Sequence, residues 1–168
     1  MQRRTLLTVG AATGVLLALA GGTLALLTPG RKGGELTAPA RAMFAALAKT
    51  VLGSLLPGDA AAQSKAIEGH LARIQATVAG LPPAMQAEVD ELITIVSSTP
   101  GRLALVGLGS DWSSATAADI AAALHSMRSS SLALRQQAYH ALRDMTNASY
   151  FADASTWPAI GYPGPRAL

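Results

Sequence analysis

The sequence predicts an all-α fold: a small helical bundle of five or six helices, with an N-terminal hydrophobic signal or anchor helix before it and an aromatic, proline-rich C-terminal strap after it. Three observations carry this. Alanine supplies 35 of the 168 residues, and alanine has the best helix propensity while adding almost no side-chain volume. Apolar residues recur at spacings of three and four through most of the chain, the period of a helix with one buried face. Pro-Gly and Pro-Pro pairs then interrupt those runs about a helix length apart. Half of the residues are apolar but only 4% are aromatic, so the core is thin, and the length suits one domain. The absence of cysteine removes disulfides, thiolate nucleophiles, Fe–S clusters, Cys-ligated zinc and an acylated-cysteine anchor.

The formal charge of +3 is local. Arg3, Arg4, Arg31 and Lys32 against Glu35 supply it, and from Thr37 onward nine basic residues face nine acidic ones. A neutral body whose aromatics gather at its end offers no groove that tracks phosphates, so no nucleic-acid partner is expected.

Gln2-Arg3-Arg4-Thr5-Leu6-Leu7 opens an uncharged run from Thr5 to Gly30, diluted by Gly10, Gly14, Gly21 and Gly22. This arrangement resembles a twin-arginine export signal, in which acidic groups of the export machinery read the planar guanidinium pair, a fork that lysine does not reproduce. Arg3, Arg4, Leu6 and Leu7 are the candidate signal residues. An ordinary secretory signal or membrane anchor is the alternative. The 26 uncharged residues exceed the roughly 20 that cross a hydrocarbon core as helix. The leader is therefore either retained as an inner-membrane anchor or removed at the small-residue sites Ala38-Pro39-Ala40 or Ala40-Arg41-Ala42. Residues 1–36 read as signal or anchor with a Gly/Lys linker, residues 37–149 as the helical body and residues 150–168 as the strap. Both alternatives place the body in the periplasm. Twin-arginine export typically carries folded proteins with a cofactor already inserted, and no cofactor motif is evident in this chain.

In the body, Phe44, Leu47, Val51, Leu52 and Leu55 form one stripe from Pro39 to Leu56, stopped by Pro57-Gly58-Asp59. Ile67, Leu71, Ile74, Val78 and Leu81 predict a second helix from about Ala61 to Gly80, and Met85, Val89, Leu92, Ile93 and Val96 a third, with Pro100-Gly101 as its terminator. The short apolar segment from Arg102 to Gly109 suits a helical turn packed inside or a brief strand, and helix is the favoured reading. Asp111 or Ser113-Ser114 offers an N-cap to the next helix, and Thr116-Ala117-Ala118-Asp119 resembles a capping box with Asp in place of Glu. That helix carries Ile120, Leu124 and Met127 and frays at Ser129 to Ser131. The last, from about Leu132 to Ala148, aligns Leu134, Ala138, Leu142 and Met145 and exposes Arg135 and Arg143.

Four of the seven aromatic residues, Tyr150, Phe151, Trp157 and Tyr162, fall within the final strap, interleaved with Pro158, Pro163 and Pro165. Pro163-Gly164-Pro165 cannot continue a helix, so the strap is semi-rigid. It either covers an alanine-rich core or presents a docking surface, since Trp and Tyr anchor interfaces at low entropic cost. The candidate docking residues are Tyr150, Phe151, Trp157, Ile160, Gly161, Tyr162, Pro163, Gly164 and Pro165.

Arg3-Arg4, the segment Phe44 to Asp59 (FAALAKTVLGSLLPGD), Arg135-Gln136-Gln137-Ala138-Tyr139 and above all Trp157-Pro158-Ala159-Ile160-Gly161-Tyr162-Pro163-Gly164-Pro165 together resemble the small subunit of membrane-associated flavin-dependent sugar and alcohol dehydrogenases, of the gluconate 2-dehydrogenase subunit 3 type. The resemblance implies a non-catalytic accessory subunit that binds a flavoprotein dehydrogenase large subunit of the glucose-methanol-choline oxidoreductase type and carries the export signal for both. FAD then belongs to the partner, no cofactor to this chain, and a c-type cytochrome is a further partner that accepts the electrons.

The residues themselves offer little chemistry. His70, His125 and His140 lie on separate helices without ligand spacing and read as surface or satisfied polar groups, not metal ligands. Ser113-Ser114 and Ser129 to Ser131 lack a nucleophile elbow. Glu88, Asp90 and Glu91 read as a solvated helix face, and Gly107-Leu108-Gly109 lacks a third glycine. Trp112 and Tyr139 suit either core or docking face. The competing functional reading is a stand-alone exported or membrane-anchored helical protein, a small-ligand binder or an unrecognised hydrolase.

Overall fold

The computed structural model of the protein describes residues 27–165, and the export-signal residues Arg3, Arg4, Leu6 and Leu7 lie outside them. The helix α1, Ala38–Leu52, is the hub. Pro39 sits in its first turn, where a missing N–H costs nothing, and Gly53, at φ +49°, ends it before a 3₁₀ turn over Gly53–Leu55. Met43, Phe44 and Leu47 are almost fully buried, and Ala40 and Ala48 are buried with them. Those two alanines let neighbours approach closely, and α1 touches all four of the other long helices. The alanine-rich composition thus builds a core by closeness of backbones rather than by bulk.

The long helices follow the sequence periods. The helix α2, Ala60–Ala79, is capped by Asp59, whose carboxylate accepts from the Ala62 N–H at 2.7 Å. The helix α3, Pro83–Ser97, starts on a proline and ends where Ser98 turns the chain. Thr116 caps α4, Ala117–Arg128, accepting from the Asp119 N–H at 3.1 Å while donating to the Asp119 carboxylate at 2.7 Å. The Thr-x-x-Asp box, and neither Asp111 nor the serine pair, is therefore the cap. Ser129 to Ser131 separate α4 from α5, Ala133–Phe151. Among the described residues no helix is long and apolar enough to cross a membrane.

The structure corrects the sequence reading at several points. Pro100-Gly101 does not terminate the third helix. Pro100 lies inside the next helical turn, Thr99–Gly101, which Ser98 caps by accepting from the Gly101 N–H at 3.2 Å. Only glycine fits at 101, because a Cβ there would sit 1.9 Å from the Ile95 carbonyl oxygen. The chain continues as one π-helical turn, Arg102–Val106, closed by Gly107 at φ +81°. Arg135 is half-buried rather than exposed, since its guanidinium donates to the carbonyls of Leu105 and Val106.

Residues 31–36 are not a linker. Arg31–Lys32 (β1) and Glu35–Leu36 (β2) pair antiparallel, Arg31 opposite Leu36 and Lys32 opposite Glu35. The turn is Gly33-Gly34, both at positive φ, the signature of a two-residue type I′ hairpin. Arg31 donates to Asp90 on α3 at 2.8 Å, Gly30 to the Thr94 hydroxyl at 2.8 Å, and Gln75 on α2 accepts from the Leu36 N–H. Asp90 therefore belongs to an ion pair, not to a solvated acidic face.

This packing bears on processing. Both A-x-A sites fall within or beside the first turn of α1, and Ala40 is fully buried. Cleavage at either would cut the hairpin from the core and expose the first-turn backbone. N-terminal sequencing of the mature protein is expected to find no new terminus at Arg41 or Met43. A mature chain starting at either would mean that cleavage precedes folding.

Candidate functional site

The C-terminal segment is held by a short set of directed bonds. Arg73, on α2, donates from Nε to the Ser149 carbonyl at 2.9 Å and from Nη1 to the Asp153 carboxylate at 3.0 Å. Asp153 in turn caps the 3₁₀ turn Ala154–Ile160 by accepting from the Ser155 N–H at 3.0 Å. Hydrogen bonding by Ser155, reinforced by the Arg73 charge against some desolvation, holds the Asp153 carboxyl below its ordinary range. The carboxylate thus joins helix α2, the end of α5 and the turn beyond it.

On this frame Trp157 is fixed by three contacts. Its indole N–H donates to the Phe151 carbonyl at 2.8 Å, its ring lies 5.2 Å from that of Tyr162, and Gly164 lies against its face, where a Cβ would stand 3.5 Å from Cζ3. Gly161, at φ +72°, reverses the chain so that the Tyr162 N–H returns to the Trp157 carbonyl at 3.1 Å. Ile160 and Tyr162 remain 51% and 44% exposed, while Trp157 is half-buried. Leu103 and Leu132 are exposed to a similar degree elsewhere, but Ile160 and Tyr162 stand two residues apart on a hydrogen-bonded turn, so they present one apolar patch rather than scattered side chains.

Trp157, Ile160, Gly161, Tyr162, Pro163, Gly164 and Pro165 are thus brought together at the surface, Trp157 and Ile160 on the helical turn and the other five on the non-helical segment that follows it. Tyr150 and Phe151 are not part of it: both belong to the last turn of α5. Tyr150 is buried, and its hydroxyl donates to the Leu55 carbonyl at 2.8 Å, tying α5 to the 3₁₀ turn that follows α1. Burial pushes the Tyr150 phenol up. It serves the body, so the boundary between body and C-terminal segment falls after Phe151. Phe151 is half-buried, edge-on to Tyr150 at 5.3 Å.

No family model, curated protein or solved structure matches this chain.

Other polar groups resolve into structure. Trp112 is core, its indole N–H donating to Val96 at 3.0 Å. Arg102, buried, donates to the carbonyls of Leu108, Gly109 and Ser110 and to the Asp111 carboxylate. The Gly107-Leu108-Gly109 segment is therefore a loop wrapped around an arginine. A concavity of about 450 Å³ between Pro39, the Ser97–Pro100 corner and Asp111 is an open depression in which that guanidinium is already occupied. His70 departs from the sequence reading: it is fully buried, both ring nitrogens lack a hydrogen-bond partner, and its ring stands 6.1 Å from Tyr150. Burial, aided by Arg73, lowers its pKa from 6.5 to about 4. Glu91 has an enclosed, unpartnered Oε1, and burial followed by the nearby Glu88 charge raises its pKa. Among the described residues no three His, Asp or Glu side chains cluster as metal ligands would.

Sequence reasoning found the aromatics but missed Arg73 and Asp153, which position them. A signal existed. Asp153-x-Ser155 just after a helix end is an Asx-cap pattern, and Arg73 stands one residue before the buried Ile74.

Proposed function

We propose that this chain is a non-catalytic accessory subunit: it binds a flavoprotein dehydrogenase through its C-terminal surface, and its Arg3-Arg4 signal directs the pair through the twin-arginine pathway into the periplasm. The observation that carries the docking half is the exposure of Ile160 and Tyr162 on a turn bonded to the body by Arg73 and Asp153. A preorganised aromatic cluster loses little entropy on association, which is what an anchoring surface requires. The export half rests on the sequence pattern of Arg3, Arg4, Leu6 and Leu7. In this reading FAD resides in the partner, a c-type cytochrome accepts its electrons, and the N-terminal segment, where retained, holds the complex at the inner membrane.

The test is co-expression with a flavoprotein dehydrogenase of the glucose-methanol-choline oxidoreductase type. The full chain is expected to co-purify with a flavin absorption band. Ile160→Ala combined with Tyr162→Ala is expected to weaken that association by about 2 kcal/mol or more, roughly thirtyfold. Both side chains are about half exposed, so the melting temperature is expected to change little. Equal loss of folding and binding would make the segment core cover. Arg3→Lys with Arg4→Lys is expected to keep the complex intact but strand dehydrogenase activity in the cytoplasm; normal periplasmic activity in that variant would end the escort role.

A further inference from the structure

A second concavity lies away from the C-terminal turn, where α1, α4 and α5 meet. It is a shallow groove open to solvent, of about 280 Å³, and its lining includes Val51 and Leu124 together with His125, Arg128, Tyr139 and Arg143. No carboxylate is among its lining residues. Arg128 has no acidic partner among the described residues; its polar contact is the His125 ring, with Nη2 3.3 Å from Nδ1. A guanidinium can only donate, so this contact uses the imidazole lone pair and leaves the other ring nitrogen as a donor. Arg143 meets only its own neighbour, Asp144, at 3.3 Å, and that pair, 50% and 66% exposed, is weakly bound.

The groove is therefore lined by two arginines and a histidine, all three exposed, and by the half-buried Tyr139, from two helices beside Val51 and Leu124. Position in the last turn of α4 accounts for His125 and Arg128 through the helix dipole. It does not account for Arg143 and Tyr139, which reach the same space from the middle of α5. We propose that this groove binds an oxyanion, the phosphate or carboxylate head of a small ligand. Guanidinium forks match such planar or tetrahedral oxygen sets bidentately, and a concave, partly apolar wall strengthens the attraction over that of an open surface. The volume suits the anionic head rather than a whole large ligand. The even balance of charge along the body hides the site, because Asp144 alone among the described acidic residues pairs with one of its cations.

The full chain is titrated with inorganic phosphate, and separately with citrate, at constant ionic strength set by sodium chloride, while the backbone and histidine resonances are followed by NMR. Saturable shifts are expected at His125 and around Arg128 and Arg143. Arg128→Gln and Arg143→Gln are each expected to weaken binding about tenfold, whereas Lys65→Gln, an equal loss of charge at an exposed position on α2, leaves it unchanged. Vesicles of phosphatidylglycerol against phosphatidylcholine form a second arm: retention on the former that Arg128→Gln abolishes assigns the oxyanion to a lipid headgroup, and titration by phosphate alone assigns it to a soluble ligand. Shifts that do not saturate, that chloride reproduces, or that Lys65→Gln reduces as much as Arg128→Gln overturn the site. None of these results depends on the flavoprotein.

Discussion

Arg102→Lys is expected to lower the stability of the body by about 2–3 kcal/mol, with Arg102→Ala at least as damaging. One planar fork here does the work of several residues. Its Nη1 reaches the carbonyls of Leu108, Gly109 and Ser110, and its Nη2 reaches Asp111 at 2.6 Å. A lysine ammonium is a single point on a flexible stem and cannot hold one loop by two branches. The expected cost is limited because Gly109 and Ser110 lie at the surface and their freed carbonyls find water. Asp111→Asn is a useful contrast. The Asp111 side chain is 72% exposed, so its pairing is worth at most about 1 kcal/mol, and the carbonyl bonds survive its loss. Urea midpoints at unchanged slope measure the difference. If Asp111→Asn costs as much as Arg102→Lys, the ion pair rather than the carbonyl set organises the loop. The indole bond from Trp112 to Val96 lies directly after this loop, so tryptophan fluorescence should report the loosening.

What the sequence made legible follows from which physical signals repeat. The apolar residues of helices α1 to α5 recur every three or four positions for three turns or more, and the cap at Thr116 is side-chain chemistry at a fixed offset; both survive reading in one dimension. Asp59, read only as part of the stop after α1, proves to cap α2. The hairpin at Arg31 to Leu36 does not survive that reading, because two-residue strands are too short to show alternation, although Gly33-Gly34 between them is a turn signal. Arg102 enters the sequence reading only as the first residue of a short apolar segment, since nothing local reveals that three carbonyls will curl back to meet it. The C-terminal aromatics were visible as a composition shift. Their division into one buried anchor, Tyr150, and one exposed group around Tyr162 depends on where α5 stops, and the residues from Tyr150 to Asp153 do not mark that end with glycine or proline. His70 is the instructive failure. It lies three residues after Ile67 and four before Ile74, on the buried face, and its polarity outweighed its position in the reading.

That position leads to a pH effect of about 3 kcal/mol. Above about pH 6.5 the imidazole is neutral in the folded and unfolded chain alike, and His70 adds no pH dependence. Below that, the unfolded chain takes up a proton while the folded one, with its pKa lowered to about 4, does not, so stability falls as the pH drops from about 6.5 toward 4 and levels out beneath. The groups facing the ring oppose protonation: Arg73 sits one turn along α2, and Tyr150 comes across from α5 with its hydroxyl already donating to Leu55. His70→Leu is expected to remove this slope and, by deleting two unpaired ring nitrogens from the core, to stabilise the protein at neutral pH by about 1 kcal/mol or more. Wild type and His70→Leu unfolding in urea at several pH values between 4 and 7 would measure both. Identical slopes would mean that the imidazole meets water or a partner at that seam. Because Arg73 also holds Ser149 and Asp153, a proton arriving on His70 places two positive charges beneath the turn that carries Ile160 and Tyr162. The C-terminal surface is then expected to loosen at a higher pH than the helices around α1, seen as earlier loss of amide protection from Ser155 to Tyr162.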